Sequence, residues 1–346
     1  MRPRLGVTLG DPAGVGPEVV LKALRLHGAE PDAARVVVLG DRGTLEHYCN
    51  LYGLPAAIRE IRSVDDAVDA DPGTIQLLPA SQPIRNLRPG EIRADYGAAA
   101  AAALTEGGRL CAAGRLDGLV TAPVHKSALR LAGIHVEGQT ELLGELWGGG
   151  LYGMLVVADV LRVLLLTRHM PLRAALDSVS TSGVVQHLEL LDRTLRRMGI
   201  TKPRVALAGF NPHAGEGGMF GSEDATLLEP AVVRARSLGL DAHGPLPADS
   251  LFGRAARGEF DGVLALYHDQ GLIPVKAVAF DRAVTIIAGA PHLRVSVIHG
   301  AGFDRAGQNR ADATNVLAAL RTAAKLAPSW SLRAEGAAPV PTNQIG

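Results

Sequence analysis

Aromatic side chains are scarce in this 346-residue chain, which holds six Phe, five Tyr and two Trp. Its interior must be filled mainly by Ala, Val and other aliphatic side chains. Cysteine is nearly absent. Cys49 and Cys111 have no second pair, no C-x-x-C spacing and no neighbouring metal-ligand pattern, so they read as reduced structural thiols. Charge of one sign is lacking too, with 35 basic and 35 acidic residues balancing. Without a global field or a local basic stripe, binding to nucleic acid or to an anionic lipid surface is excluded. No apolar run approaches the roughly 18 residues of a membrane span, and the first eleven residues hold too short an apolar core for a secretory signal. A cytoplasmic protein is expected.

What the chain does have is 47% hydrophobic residues and 41 glycines. That profile suits a folded protein of about two domains at roughly 150 residues each. Short β-branched runs alternate with longer helical ones, which is α/β grammar. Strands are expected at Leu5 to Leu9, Arg35 to Leu39, Thr74 to Leu78, Asp117 to Thr121, Leu161 to Thr167, Arg204 to Ala208 and Gly262 to Tyr267. Helices are expected at Pro17 to Leu26, from near Gly43, at Ala98 to Ala113, Val184 to Met198, Leu227 to Leu238 and Ala313 to Leu326. The Pro/Ala/Ser-rich stretch from Ala327 reads as a loosely held terminus. No low-complexity linker divides the chain. Two connected lobes with a cleft are expected, the chain crossing between them more than once.

Eleven histidines are present. His27, His47, His187 and His243 lack acidic or histidine companions in the sequence pattern and read as surface or capping residues. His169, His213 and His268 differ, because each follows an apolar strand at its carboxyl end, where ligands gather in open α/β sheets. If those strands share one sheet, three imidazoles converge on one edge, a donor set that suits Zn²⁺ or a similar divalent ion with positions open to substrate. The alternative is three separate loop histidines, and spacing alone leaves both readings standing.

Two glycine-rich loops also stand out. Gly10-Asp11-Pro12-Ala13-Gly14-Val15-Gly16-Pro17-Glu18 lies between a strand and a helix, either as an anion site at a helix N-terminus or as a tight turn with Pro17 opening the helix. It fits neither the G-x-G-x-x-G pattern nor the G-K-[ST] loop. The stretch Gly215 to Gly221 after His213 lets backbone come near a metal, a substrate or a second subunit.

Taken in order, Gly10 to Glu18, Ala122-Pro123-Val124-His125-Lys126, Asn211-Pro212-His213-Ala214-Gly215-Glu216, Gly244-Pro245-Leu246-Pro247-Ala248-Asp249 and Tyr267-His268-Asp269-Gln270-Gly271 resemble the 4-hydroxythreonine-4-phosphate dehydrogenase family of pyridoxal phosphate biosynthesis, across roughly residues 4 to 326. The resemblance implies a two-lobed α/β fold similar to isopropylmalate and isocitrate dehydrogenases, with a central cleft. Residues 1–130 with 300–346 would form the nucleotide-side lobe, and 131–299 the lobe of the metal ligands and dimer interface. It implies a homodimer whose divalent metal (Zn²⁺, or Mg²⁺ or Co²⁺) is held by His169, His213 and His268 contributed from both subunits. NAD(P)⁺ would be the oxidant. The segment His299 to Asn309 resembles the adenine-side dinucleotide loop of the wider β-decarboxylating dehydrogenases, which accounts for the missing G-x-G-x-x-G.

Substrate contacts implied by the resemblance are Gln139, Thr140, Lys276, Thr285 and Arg294. Lys276 and Arg294 would fix anionic oxygens. Asp249 and Lys126 are the candidate proton carriers, against the plainer readings of a helix cap and a surface pair. The family has His-Thr where this chain has Gln139-Thr140, and Asn where it has Thr285. Loss of a cationic His removes a charge-assisted donor worth about 1.5 to 3 kcal/mol. The chemistry implied is oxidation of a secondary alcohol on a small anionic substrate, first of all 4-phosphohydroxy-L-threonine with subsequent decarboxylation. Relatives acting on 4-phospho-D-threonate or erythronate, or on a terephthalate cis-dihydrodiol, are competing models. A catalytically idle metabolite-binding dimer is the reading from another class.

Overall fold

The computed structural model describes residues 2–30, 33–69, 71, 73–136 and 138–334. The chain divides into two compact units, 1–149 with 290–346, and 150–289.

The first unit begins β1 (Arg4–Thr8), α1 (Gly16–Gly28), β2 (Arg35–Gly40), α2 (Arg42–Tyr52), β3 (Ala57–Glu60), β4 (Thr74–Pro79), α3 (Ala94–Ala112), β5 (Gly118–Thr121), α4 (Lys126–Leu131) and α5 (Gln139–Leu146). The second unit holds β6 (Gly153–Ala158), β7 (Leu161–Leu165), α6 (Leu172–Asp177), α7 (Thr181–Arg197), β8 (Arg204–Ala208), α8 (Glu229–Ser237), β9 (Asp241–Leu246), α9 (Ala248–Ala256), β10 (Gly262–Ala265), α10 (His268–Ala279) and β11 (Val284–Ala288). The chain then returns to the first unit with β12 (Arg294–Val297) and α11 (Thr314–Ala334).

In the first unit the strands run in the order β3-β4-β2-β1-β5-β12, all parallel. Parallel strands are covered on both faces, which is why β5 is buried at every position and reads as an unbroken apolar run. In the second unit the order is β11-β6-β7-β10-β8-β9; β7, β10, β8 and β9 are parallel, while β6 pairs antiparallel with both β11 and β7. Both units are therefore mixed α/β, as the alternation of runs implies. Local signals set several helix ends: Asp41 caps α2, accepting from Thr44 N at 2.7 Å, and Gly53 closes it at φ 60°. The core is aliphatic, with Tyr48, Tyr96 and Trp330 the largest aromatic exceptions.

Three expectations change. Helix α5 clusters with the first unit, so the division falls at Gly149/Gly150 and Gly289/Ala290 instead of after 130 and 299. The reason is packing on α3: the Leu143 and Leu146 side chains crowd Gly108, and Trp147 Nε1 donates to Gly108 O at 3.0 Å. The terminus is not loose from Ala327. Helix α11 continues through Pro328, and Ala327 and Trp330 are only 1% and 2% exposed, so burial of an indole outweighs the proline's lost donor; residues 335–346 of that stretch lie outside the described residues. His27 is buried, not a surface group. Its Nε2 accepts from Ala34 N at 3.1 Å, and burial holds its pKa below the usual imidazole range.

Candidate active site

In the first unit, chemistry collects at the carboxyl end of the parallel sheet. Arg294 opens β12 beside β5, where its Nε donates to Thr121 Oγ1 at 2.9 Å. Thr121 in turn donates to Ser296 Oγ at 3.0 Å, and Ser296 Oγ donates to Thr121 O at 3.0 Å. Arg294 is 4% exposed, yet among the described residues it makes no ion pair. Burial pushes its pKa down to about 10, with the Glu141 charge the opposing influence. A buried guanidinium without an ion-pair partner is costly.

Gln139 begins α5 and donates from Nε2 to Ala122 O at 3.1 Å. Gln139 and Arg294 are thus tied to consecutive residues at the end of β5. Among the described residues, no group donates to the buried Oε1 of Gln139. Thr140 follows in the first turn of α5, half-buried.

Asp11 and His125 join this edge, and neither carries a role in the sequence reading. Asp11 follows β1 and is fully buried; its Oδ1 accepts from Ala13 N at 2.9 Å, while among the described residues no donor closes on Oδ2. Burial pushes its pKa up to about 6, against the pull of the Ala13 and His125 backbone N–H groups. Gly10 makes the approach possible: at φ 71° a side chain there is disfavoured, and a Cβ would stand 2.2 Å from Pro123 O. The His125 ring stacks on Phe303 with centroids 4.4 Å apart. The only sequence signal for Asp11 was a carboxylate inside a glycine loop, since burial is not legible from a turn. Glu18, also buried, accepts from Lys22 Nζ at 2.6 Å and Ala311 N at 2.8 Å, which anchors the end of the 299–309 segment onto α1.

In the second unit, β7, β10 and β8 are adjacent and parallel, so His169, His268 and His213 follow neighbouring strands. The rings of His169 and His268 stand 5.4 Å apart, centroid to centroid. His268 Nδ1 lies 2.7 Å from Asp269 Oδ1, so the adjacent carboxylate does orient this imidazole. His213 stands beside Phe220 instead, with centroids 6.2 Å apart. Among the described residues of one chain, no group of three or more His, Cys, Asp or Glu is arranged to hold a metal ion. Lys276 lies on α10 with Nζ 5.8 Å from the Phe280 ring centroid, and Thr285 is buried in β11. Asp249 is exposed in the first turn of α9 and does not cap it. Lys126 is exposed at the start of α4, with no ion pair among the described residues.

The first unit thus buries an arginine, the second pairs two imidazoles, and such convergent polar groups in an α/β protein mark the class of small-molecule enzymes. The chain matches the family described as pyridoxal phosphate biosynthetic protein PdxA over residues 32–323, and it belongs to that family. It is 40% identical over 322 residues to a 4-hydroxythreonine-4-phosphate dehydrogenase of Beijerinckia indica subsp. indica, covering 93% of this chain and 94% of that one. It is 40% identical over 329 residues to a D-threonate 4-phosphate dehydrogenase of Bordetella bronchiseptica, covering 95% and 93%. The crystal structure of a 4-hydroxythreonine-4-phosphate dehydrogenase from Klebsiella pneumoniae superimposes with a TM-score of 0.86 at 38% identity, covering 94% of this chain and 98% of that one.

Proposed function

We propose that this chain is an NAD(P)⁺-linked dehydrogenase that oxidises the secondary alcohol of a small phosphorylated hydroxy acid, 4-phosphohydroxy-L-threonine, with loss of carbon dioxide from the keto acid formed. The observation that carries the reading is Arg294, a buried cation with no ion pair among the described residues, tied to the same strand end as Gln139. An anionic substrate supplies the missing counter-charge, and Arg is suited to it by its planar fork. Lys276 serves as a second anion contact, and Thr140 and Thr285 as hydroxyl contacts. D-threonate 4-phosphate is the second reading, favoured by a relative of that name at the same 40% identity. Both substrates carry the phosphate that Arg294 calls for.

The imidazole pair fits a divalent metal. With Asp269 on Nδ1, His268 presents Nε2 as a ligand atom, and His169 stands beside it. We assign His169, His213 and His268 as the ligands, contributed by both subunits of a homodimer; one chain alone groups no three of them. Exposed Met170, Leu172, Met219, Phe220, Ile273 and Phe280 flank these histidines and support a second copy covering this face. When bound, the metal supplies Lewis-acid stabilisation of negative charge on the substrate oxygens. The chain's own residues orient the phosphate and carboxylate, and Asp249 or Lys126 carries the proton.

The test is formation of reduced nicotinamide, followed by absorbance, with 4-phosphohydroxy-L-threonine and D-threonate 4-phosphate in parallel. Turnover of the first at the higher kcat/KM is expected. Turnover of the second alone moves the assignment to that substrate, and binding without turnover of either sinks the enzyme reading in favour of a metabolite-binding dimer.

A further inference from the structure

The backbone that presents His213 is unusual. Six consecutive residues adopt positive φ: His213 (54°), Ala214 (54°), Gly215 (83°), Glu216 (42°), Gly217 (64°) and Gly218 (96°). Residues with a Cβ avoid this left-handed region, and it persists only where the surroundings impose it. The surroundings here are a buried carboxylate and an amide. Asp224, 1% exposed, accepts from Phe210 N at 2.7 Å and from Asn211 N at 2.9 Å. It has no cation partner among the described residues, so its whole work is to hold these two backbone donors. It begins a π-helical turn, Asp224–Leu228, and a Cβ on Gly215 would stand 3.5 Å from its carboxylate. Next to it, Glu223 Oε2 accepts from Asn211 Nδ2 at 2.8 Å.

The second clamp is Gln270, two residues beyond His268. Its Oε1 accepts from Leu266 N at 2.7 Å, and its Nε2 donates to Gly209 O at 2.9 Å. One side chain on the His268 helix thus joins the end of β10 to the end of β8, from which the His213 loop departs.

We infer that Asp224 and Gln270 are positioning residues that lock the left-handed loop 209–221 and set His213 and His268 in place for the metal centre. This rests on the metal reading given above. Neither side chain touches the ligand position; each acts through backbone groups that carry a ligand.

The test compares wild type, Asp224→Asn and Gln270→Met by Co²⁺ titration, followed by its visible absorption, and by amide hydrogen exchange of peptides spanning 209–221. Asp224→Asn removes the charge and one of the two acceptor oxygens, while Gln270→Met preserves length without hydrogen bonds. Expected are unchanged far-UV circular dichroism, exchange in 209–221 faster by about tenfold or more, and Co²⁺ affinity weaker by about 10- to 100-fold. Exchange unchanged in both variants overturns the clamp. Faster exchange with undiminished Co²⁺ affinity overturns its role in positioning ligands. Wild-type protein that takes up no Co²⁺ overturns the metal centre itself and the positioning role with it, a result distinct from either, and the exchange data then still decide whether the loop is clamped. If Asp224→Asn does not fold, Gln270→Met alone decides.

Discussion

Arg294 donates from Nε to Thr121 Oγ1 at 2.9 Å and makes no ion pair among the described residues. A cation buried this way stabilises nothing by itself, so its retention and the fold's stability pull in opposite directions. Arg294→Met is expected to hold or raise the melting temperature while lowering kcat/KM by about 100-fold or more, the equivalent of roughly 3 kcal/mol. Calorimetry with steady-state kinetics checks both; a variant that melts much earlier with kcat/KM unchanged removes Arg294 from the site.

Asp11 makes stability depend on pH in an unusual direction. Its folded pKa of about 6 stands above its ordinary 3.8, because burial disfavours the carboxylate. Between those values the native state holds more protons than the unfolded chain, so the stability contributed by protonated Asp11 is full below 3.8 and lost as pH rises through 6. Asp11→Asn should therefore gain on wild type between pH 4 and pH 7, by at most about 3 kcal/mol. Urea denaturation of both proteins across that range measures it; parallel stability curves would show that Asp11 is not the titrating group.

For the metal centre, chelation followed by dialysis should abolish turnover, and Zn²⁺ or Co²⁺ should restore it. His213→Ala should remain folded and inactive. Asp269→Asn, which loosens the hold on His268 Nδ1, should weaken metal affinity by about tenfold. Full activity in metal-free protein, verified by elemental analysis, rules the centre out.

Position 139 tests substrate identity. Gln139→His restores an imidazole where the resemblance has one, and kcat/KM for 4-phosphohydroxy-L-threonine is expected to rise by about tenfold, within the range of a charge-assisted hydrogen bond. No change for that substrate, with a fall for D-threonate 4-phosphate, favours the second reading.

Trp330 tests the C-terminal helix. Trp330→Ala should cost about 3 to 5 kcal/mol, as expected for a deleted core aromatic. A loss within experimental error would restore the view of a loosely held terminus.

By itself, the sequence determined the alternation of strands and helices, the histidines after β7, β8 and β10, and the family, because periodicity, turn chemistry and ordered motifs are local. Only the tertiary structure decided which charges are buried. That Arg294 makes no ion pair and that no donor closes on Asp11 Oδ2 among the described residues, and that Gln139 hangs from the strand end that holds Arg294, all depend on residues far apart in the chain. So does the path beyond Ala327, where Pro328 reads locally as a stop and burial of Trp330 prevails. Burial and the partners it leaves out belong to packing, and no local pattern records them.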